Sequence, residues 1–385
     1  MYDHFFIMCL VCDYYDAEKK VSLEDLQDLT ELDCHGCKYV TSIPFLPKLR
    51  TLKCDGCVGL VRIPNLPKLK LLKCQDCVGL KALPNFPKLE TLYCLDCVGL
   101  TFIPILPQLE ELYCNRCVGL TFISNLPKLI TLCCNSCKTL KELPSILPQL
   151  RSLWCINCVG ITSIPSLLQL QELNCTYCPK LANIPLLPRL TFLECKNCRE
   201  LKDLPNFSKL KILWCDDCQF QTLPNLPKIT HLWCHSCVKL VEIPFLPKIQ
   251  HLKCIDCVKL TEIPFFPRLK TLVCRGCVAL TRIPNFLNLQ NFDCNGCKVL
   301  REIPLIFPQL KTLDCRNCPW ICHRRNPNYQ ENVRKLVTLQ RWCRRNNQYW
   351  RFKRWVRTEN FARFFYAPDQ LGGRLIKHHI TTMFT

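Results

Sequence analysis

Residues 49–68 read LRTLKCDGCVGLVRIPNLPK. The same pattern starts at Leu29 and returns at Leu69, Leu89, Leu109, Leu129, Leu150, Leu170, Leu190, Leu210, Ile229, Ile249, Leu269, Leu289 and Leu310. Its general form is L-x-x-L-x-C-x-x-C-x-x-L-x-x-I/L-P-x-L-P-x. One extra residue enters near Ser145–Leu147 and another near Leu305–Phe307, and one is missing at Cys218-Gln219-Phe220. A fixed period near 20 residues, built on leucine, is the signature of a leucine-rich-repeat solenoid. Each unit is too small to bury a core by itself, so neighbours stack and the core lengthens with each copy.

Working outward within one unit, x-L-x-C-x is the strand, as in Thr51-Leu52-Lys53-Cys54-Asp55. Side chains alternate across a strand. Leu52 and Cys54 are therefore expected to point inward, and Thr51, Lys53 and Asp55 to face a concave surface. Pro64 and Pro67 fix φ and lack an N–H, which predicts an extended or polyproline-like return path rather than a helix. Parallel strands about 4.8 Å apart predict an arc about 70 Å long.

The chain divides into a leader (1–28), the solenoid (29–318) and a tail (319–385). In the leader, Ser22, Asp25, Leu23, Leu26 and Leu29 fit either a helical turn or a degenerate first repeat that shields the open end of the stack. The tail is basic and aromatic: a short helix is expected over 332–343, residues 348–366 are rich in aromatic and basic side chains, and Thr358 before Glu359 fits the cap of a third helix. Residues 323–385 hold fourteen Lys/Arg against three Asp/Glu, over half of the +20 net charge. No apolar run approaches the ~18 residues of a membrane span. Phe5–Val11 is apolar but is flanked by Asp3, Asp13 and Asp16, without a basic n-region. No signal peptide is expected, which predicts a cytoplasmic, reducing setting.

The unit ending in I-P-x-L-P resembles the short leucine-rich repeats of bacterial effector proteins, in which the cysteine positions hold an aliphatic residue and an asparagine. The C-x-x-C version, with a basic aromatic tail carrying Tyr366-x-Pro368 and Gly372-Gly373-Arg374, is similar to cysteine-rich leucine-rich-repeat proteins of giant, mimivirus-type DNA viruses. That resemblance implies an interaction protein made in a host cell, without catalytic residues, whose partner is a host or viral protein. Some bacterial effectors carry a ubiquitin-ligase domain of a few hundred residues after such repeats. Here about 65 residues follow, so that activity is not expected.

Every repeat carries C-x-x-C, from Cys34/Cys37 to Cys315/Cys318. The leading reading makes the first cysteine a core aliphatic and the second a substitute for the asparagine that bonds neighbouring backbone, since a buried thiol is a small hydrophobe with a weak donor. The alternatives are a zinc-loaded cysteine ladder, which needs four converging thiolates, and disulfides, which need closer Cβ atoms than parallel side chains give.

The middle outward column runs Asp33, Lys53, Lys73, Tyr93, Tyr113, Cys133, Trp154, Asn174, Glu194, Trp214, Trp233, Lys253, Val273, Asp293, Asp314. Tyr and Trp are typical recognition residues, so Tyr93, Tyr113, Trp154, Trp214 and Trp233 are candidate partner-binding residues, together with His231, His235 and His251. The plainer reading is that the rings cover one another along the ladder. Three close histidines also have metal-ligating chemistry, although no metal or other cofactor is expected. Cys133 is expected to be exposed on this face and is a candidate reactive thiol. Before the strands, Lys48, Lys68, Lys88, Lys128, Arg189, Lys209, Lys228, Lys248 and Arg268 form a positive stripe. It reads as a solvated edge or, with the tail, as a track for nucleic acid or another polyanion. No phosphate-binding glycine loop, H-E-x-x-H or nucleophile elbow occurs, so neither enzymatic activity nor a small-molecule substrate is expected. The expected function is a non-enzymatic protein-interaction scaffold.

Overall fold

The computed structural model describes residues 26–300, 307 and 309–318; the N-terminal leader up to 25 and the basic aromatic tail lie outside the described residues. The fold is a leucine-rich-repeat solenoid. Three-residue strands, from β1 (Glu31–Asp33) to β17 (Thr312–Asp314), form one 15-stranded parallel sheet. The register advances by one repeat at every step, so Leu52 pairs with Leu72 and Leu72 with Leu92. A second, two-stranded parallel ladder lies on the return path, where β5 (Phe102–Ile103) pairs with β7 (Phe122–Ile123). Isolated bridges Ser42–Arg62, Ser163–Asn183 and Glu262–Arg282 continue that tendency. The return path is extended, as the prolines dictate, and extended backbone in adjacent rungs pairs wherever its N–H groups are free.

The core is one continuous column of leucine, isoleucine, phenylalanine and cysteine. At the starting position, at the strand's central residue and at both cysteines, most side chains are fully buried. Each buried leucine contributes about 1.5–3 kcal/mol of transfer free energy. The irregular repeats keep the core intact. Where the chain is one residue short, Phe220 is buried in place of leucine, and its larger ring fills the slot that a shorter turn leaves. Where it is one residue long, Leu147 stays buried and Ile146 is pushed outward. The Ile146 N–H is met there by the Asn125 side-chain oxygen at 3.2 Å.

The cysteines show what holds one rung on the next. The N–H of Cys57 donates to the Cys54 carbonyl at 3.2 Å and closes a turn. The same carbonyl accepts the Cys77 thiol of the next rung at 3.0 Å. The thiol bond repeats as Cys97 on Cys74, Cys117 on Cys94, Cys158 on Cys134 and Cys277 on Cys254, all between 2.8 and 3.0 Å. The second thiol thus serves as the bonding side chain of the turn, and the first is core. The cysteines of the described residues are thiols rather than disulfides. The first-column thiols, Cys74 and Cys94 among them, are pushed well above their ordinary pKa by hydrogen bonding to the second-column thiol of the next rung and by burial.

The residue just before each second cysteine has φ between 53° and 76°, in the left-handed region. It is glycine at 36, 56, 276 and 296, and mostly Asp or Asn elsewhere. These are the residue types that tolerate the conformation. The conformation turns the chain off the strand while the N–H still reaches the next rung, as in Asp76 to the Leu95 carbonyl at 2.8 Å. The glycine of the V-G-L element has a different reason: a Cβ on Gly59 would meet the Lys38 carbonyl oxygen at 2.8 Å.

Two stability outcomes follow. Cys158→Ala removes the thiol donor to Cys134 and leaves a small void, and chemical denaturation should show a loss of about 1–2 kcal/mol. Tyr177 is exposed and has φ 58. Tyr177→Gly relieves that backbone strain against the entropy cost of glycine, so the same measurement should show a gain of up to about 1 kcal/mol.

Candidate functional site

The strands hold their central leucine inward and turn the residues on either side toward the concave face, where nearly all are half-buried. With the parallel register fixed, equivalent positions in adjacent repeats lie one rung apart, and flat side chains at those positions stack. Tyr93 and Tyr113 are stacked with ring centres 4.6 Å apart and planes 2° from parallel. Trp214 and Trp233 are stacked at 4.6 Å and 10°, and His231 and His251 at 4.6 Å and 19°. Trp154 sits between Cys133 and Asn174 in the register and donates its indole N–H to Ser152 Oγ at 2.9 Å.

The expected aromatic column is therefore two plates. The tyrosine plate lies on β4 (Thr91–Tyr93) and β6 (Glu111–Tyr113). The tryptophan–histidine plate lies on β12 (Ile212–Trp214), β13 (His231–Trp233) and β14 (His251–Lys253). Trp154, on β9 (Ser152–Trp154), belongs to neither. Adjacent rings do cover part of each other's faces, as the plainer sequence reading has it. Their outer surfaces remain on the concave side.

Side chains that the sequence reading passed over complete the second plate. Phe192 meets Trp214 edge-on at 5.3 Å. Lys196 Nζ lies over both indoles, 4.9 Å from Trp214 and 5.9 Å from Trp233. Lys253 Nζ lies 4.2 Å from the Trp233 ring. Lys196 is held by Glu194 at 3.0 Å and Asp216 at 3.6 Å. A cation over an indole face contributes about 0.5–2 kcal/mol, more as water is excluded. The only signal for Lys196 in the sequence is its place two residues after Glu194, on the third outward column, one rung before Trp214.

Three polar atoms of this plate, Trp214 Nε1, Trp233 Nε1 and His235 Nε2, are closed off from water and have no hydrogen-bond partner. A buried polar group left unpaired costs about 1–3 kcal/mol. His231 Nδ1 pairs with Thr230 Oγ1 at 2.9 Å and His251 Nδ1 with Thr271 Oγ1 at 3.1 Å. His235 lies beside Trp233, 6.4 Å between ring centres. Among the described residues no group of three or more His, Cys, Asp or Glu side chains is placed to hold a metal ion.

One expectation is corrected. Cys133 is half-buried rather than exposed. Burial, aided by the charge of Glu111, pushes its pKa to about 11. Such a shift disfavours the thiolate that would make Cys133 a nucleophile. The same cause pushes the Tyr113 hydroxyl up to about 12.

No family model matches the chain, and no curated protein does. Among solved structures, a leucine-rich repeat protein from Bacteroides ovatus aligns over 75% of this chain and 88% of its own, at 18% identity and a TM-score of 0.43. YopM from Yersinia enterocolitica aligns over 76% and 93%, at 20% identity and a TM-score of 0.26. The fold assignment rests on this chain's own strand register. No helix of the described residues is long and apolar enough to cross a membrane.

The histidines give the plate a pH signature. Burial lowers the pKa of His231, His235 and His251 below the ordinary 6.5, and for His251 the charge of His231 adds to it. The unfolded chain therefore takes up these protons first as pH falls. Stability should decline from about pH 6.5 downward until the folded-state imidazoles are themselves protonated. Denaturation midpoints across this range should fall less steeply for a His231→Asn/His251→Asn variant.

Proposed function

We propose that this solenoid is a non-enzymatic scaffold that binds a protein partner on its concave face, centred on the Trp214–Trp233 plate. The observation that carries the reading is the half-buried Trp214–Trp233 stack on the concave face, with Lys196 and Lys253 over its rings. A large, flat aromatic surface flanked by cations is what a protein partner's aliphatic and acidic side chains complement. Phe192 and Ile212 extend the plate toward one edge, and His231 and His251 continue it along the stack.

Lys196 shields the plate without making a fixed core of it. Its ammonium is an exchangeable cover, held by Glu194 and Asp216 at the surface. A partner carboxylate can draw it aside and expose the indoles at modest cost, because the ammonium moves from one ion pair to another. Tyr93, Tyr113 and Trp154 supply further contact area toward the N-terminal half. The partner class that suits the resemblance noted above is a protein of the same or an infected cell.

Native affinity capture tests this. The wild-type chain is compared with a Trp154→Ala/Trp214→Ala/Trp233→Ala variant whose circular dichroism matches it. A partner retained by the wild-type chain should be lost from the variant, with affinity reduced at least about a hundredfold if two or more of the rings are central. Equal retention by both would overturn the concave face as the binding surface.

A further inference from the structure

The edge of the sheet where the chain enters each strand changes character along its length. From Arg189 to Lys311, neither the residue before each strand's leading Leu/Ile nor the residue after it is ever a carboxylate. The first of these columns runs Arg189, Lys209, Lys228, Lys248, Arg268, followed by Asn288 and Gln309. The second adds Lys211, Lys270 and Lys311 among threonines and glutamines. In the N-terminal half the same columns include Glu90 and Glu110, and Lys48 and Lys70 there are ion-paired to Asp28 and Glu90.

Within the acid-free tract lies a depression of about 330 Å³, lined by Gln250, Arg268, Lys270, Asn288, Gln290 and Gln309. Its hydrogen bonds orient it toward donation. Lys270 Nζ donates to Gln250 Oε1 at 2.8 Å, and Lys311 Nζ donates to Gln290 Oε1 at 2.8 Å. Both glutamine carbonyls thereby accept a lysine ammonium. Asn288 Nδ2 donates to the Pro267 carbonyl at 2.8 Å, which fixes the rim. The lining thus brings a guanidinium, an ammonium and four carboxamide side chains to one space, and it contains no carboxylate.

We infer that this depression is a binding site for a carboxylate of an acidic, extended protein segment, whose further acidic side chains follow the cation row from Arg268 back toward Arg189. The donors around the depression match a carboxylate's acceptor oxygens, with Arg268 able to pair in the bidentate manner. Cations on neighbouring rungs lie within one screening length of each other and act as a continuous positive field. A peptide fits this edge better than a single-stranded nucleic acid. Neither column carries an aromatic ring, and base stacking is what such nucleic-acid surfaces provide. The amide and hydroxyl side chains between the cations instead suit peptide backbone groups. The site lies on the sheet edge rather than on the aromatic plate, so it stands whether or not the plate binds a partner.

The test uses the full chain and three fluorescein-labelled probes: a polyglutamate peptide, the matching polyglutamine peptide, and an oligothymidylate of equal charge to the first. The polyglutamate probe should bind with an affinity that falls as salt rises, and the polyglutamine probe should not bind. Arg268→Gln/Lys270→Gln should weaken polyglutamate binding about tenfold or more. Lys68→Gln/Lys88→Gln, which removes the same charge from exposed positions on the other half of the edge, should change it less than about twofold. Absence of polyglutamate binding, or equal weakening by the two variants, would overturn the site. Tighter binding of the oligothymidylate than of polyglutamate would equally overturn the peptide assignment. Failure here leaves the tryptophan experiment unaffected, because neither pair of substitutions touches the plate.

Discussion

The structure depends on one constraint: each rung must present its backbone to the next in the same register. Three kinds of bond enforce it. Strand N–H groups pair forward, as in Cys54 to the Lys73 carbonyl at 2.8 Å. The left-handed residue of each turn pairs forward as well. The second-column thiol pairs backward, onto a first-column carbonyl that at several rungs, Cys54 and Cys134 among them, also accepts an N–H from its own repeat. A carbonyl has two lone pairs, and here both are used. Without this pinning the leucines would still be buried, but the turns would have no unique place to stack.

That constraint explains why C-x-x-C is so regular and yet is not assembled as a metal or redox motif. A zinc site needs four thiolates at one point, whereas the stack spaces equivalent thiols by a full rung and hands the second of each pair to a backbone carbonyl. Burial reinforces this assignment for the first column, where a thiolate would lose its hydration. The core cysteines pack as structural residues, and desolvation likewise disfavours the thiolate of Cys133, which faces the other way.

The same register turns sequence columns into surfaces. A repeat with a 20-residue period places residues 20 apart in contact, so the variable letters between conserved ones become neighbours. Trp214 and Trp233 are 19 residues apart because that repeat is one residue short, and they still stack, since the missing residue comes out of the loop rather than the strand. The convex ladder of Phe102 and Phe122 is the reverse case, an extended return path that became a paired strand only because the rungs bring it into line.

Much of this was legible in the letters. The period, the inward leucines and cysteines, the role of the second cysteine and the extended return path follow from spacing and from the chemistry of proline and thiol. The glycine, asparagine and aspartate before each second cysteine carried a readable signal for a left-handed turn, through their tolerance of positive φ. Other features needed three dimensions. Splitting the aromatics into two plates, drawing Lys196 across two indoles and leaving Trp214 Nε1 and Trp233 Nε1 without partners all depend on which neighbouring rung a long side chain leans toward. The donor-lined depression at Arg268 and Lys270 likewise depends on side chains from several consecutive repeats closing around one space. A sequence period fixes which residues become neighbours, whereas rotamers and inter-rung packing fix what those neighbours do to each other.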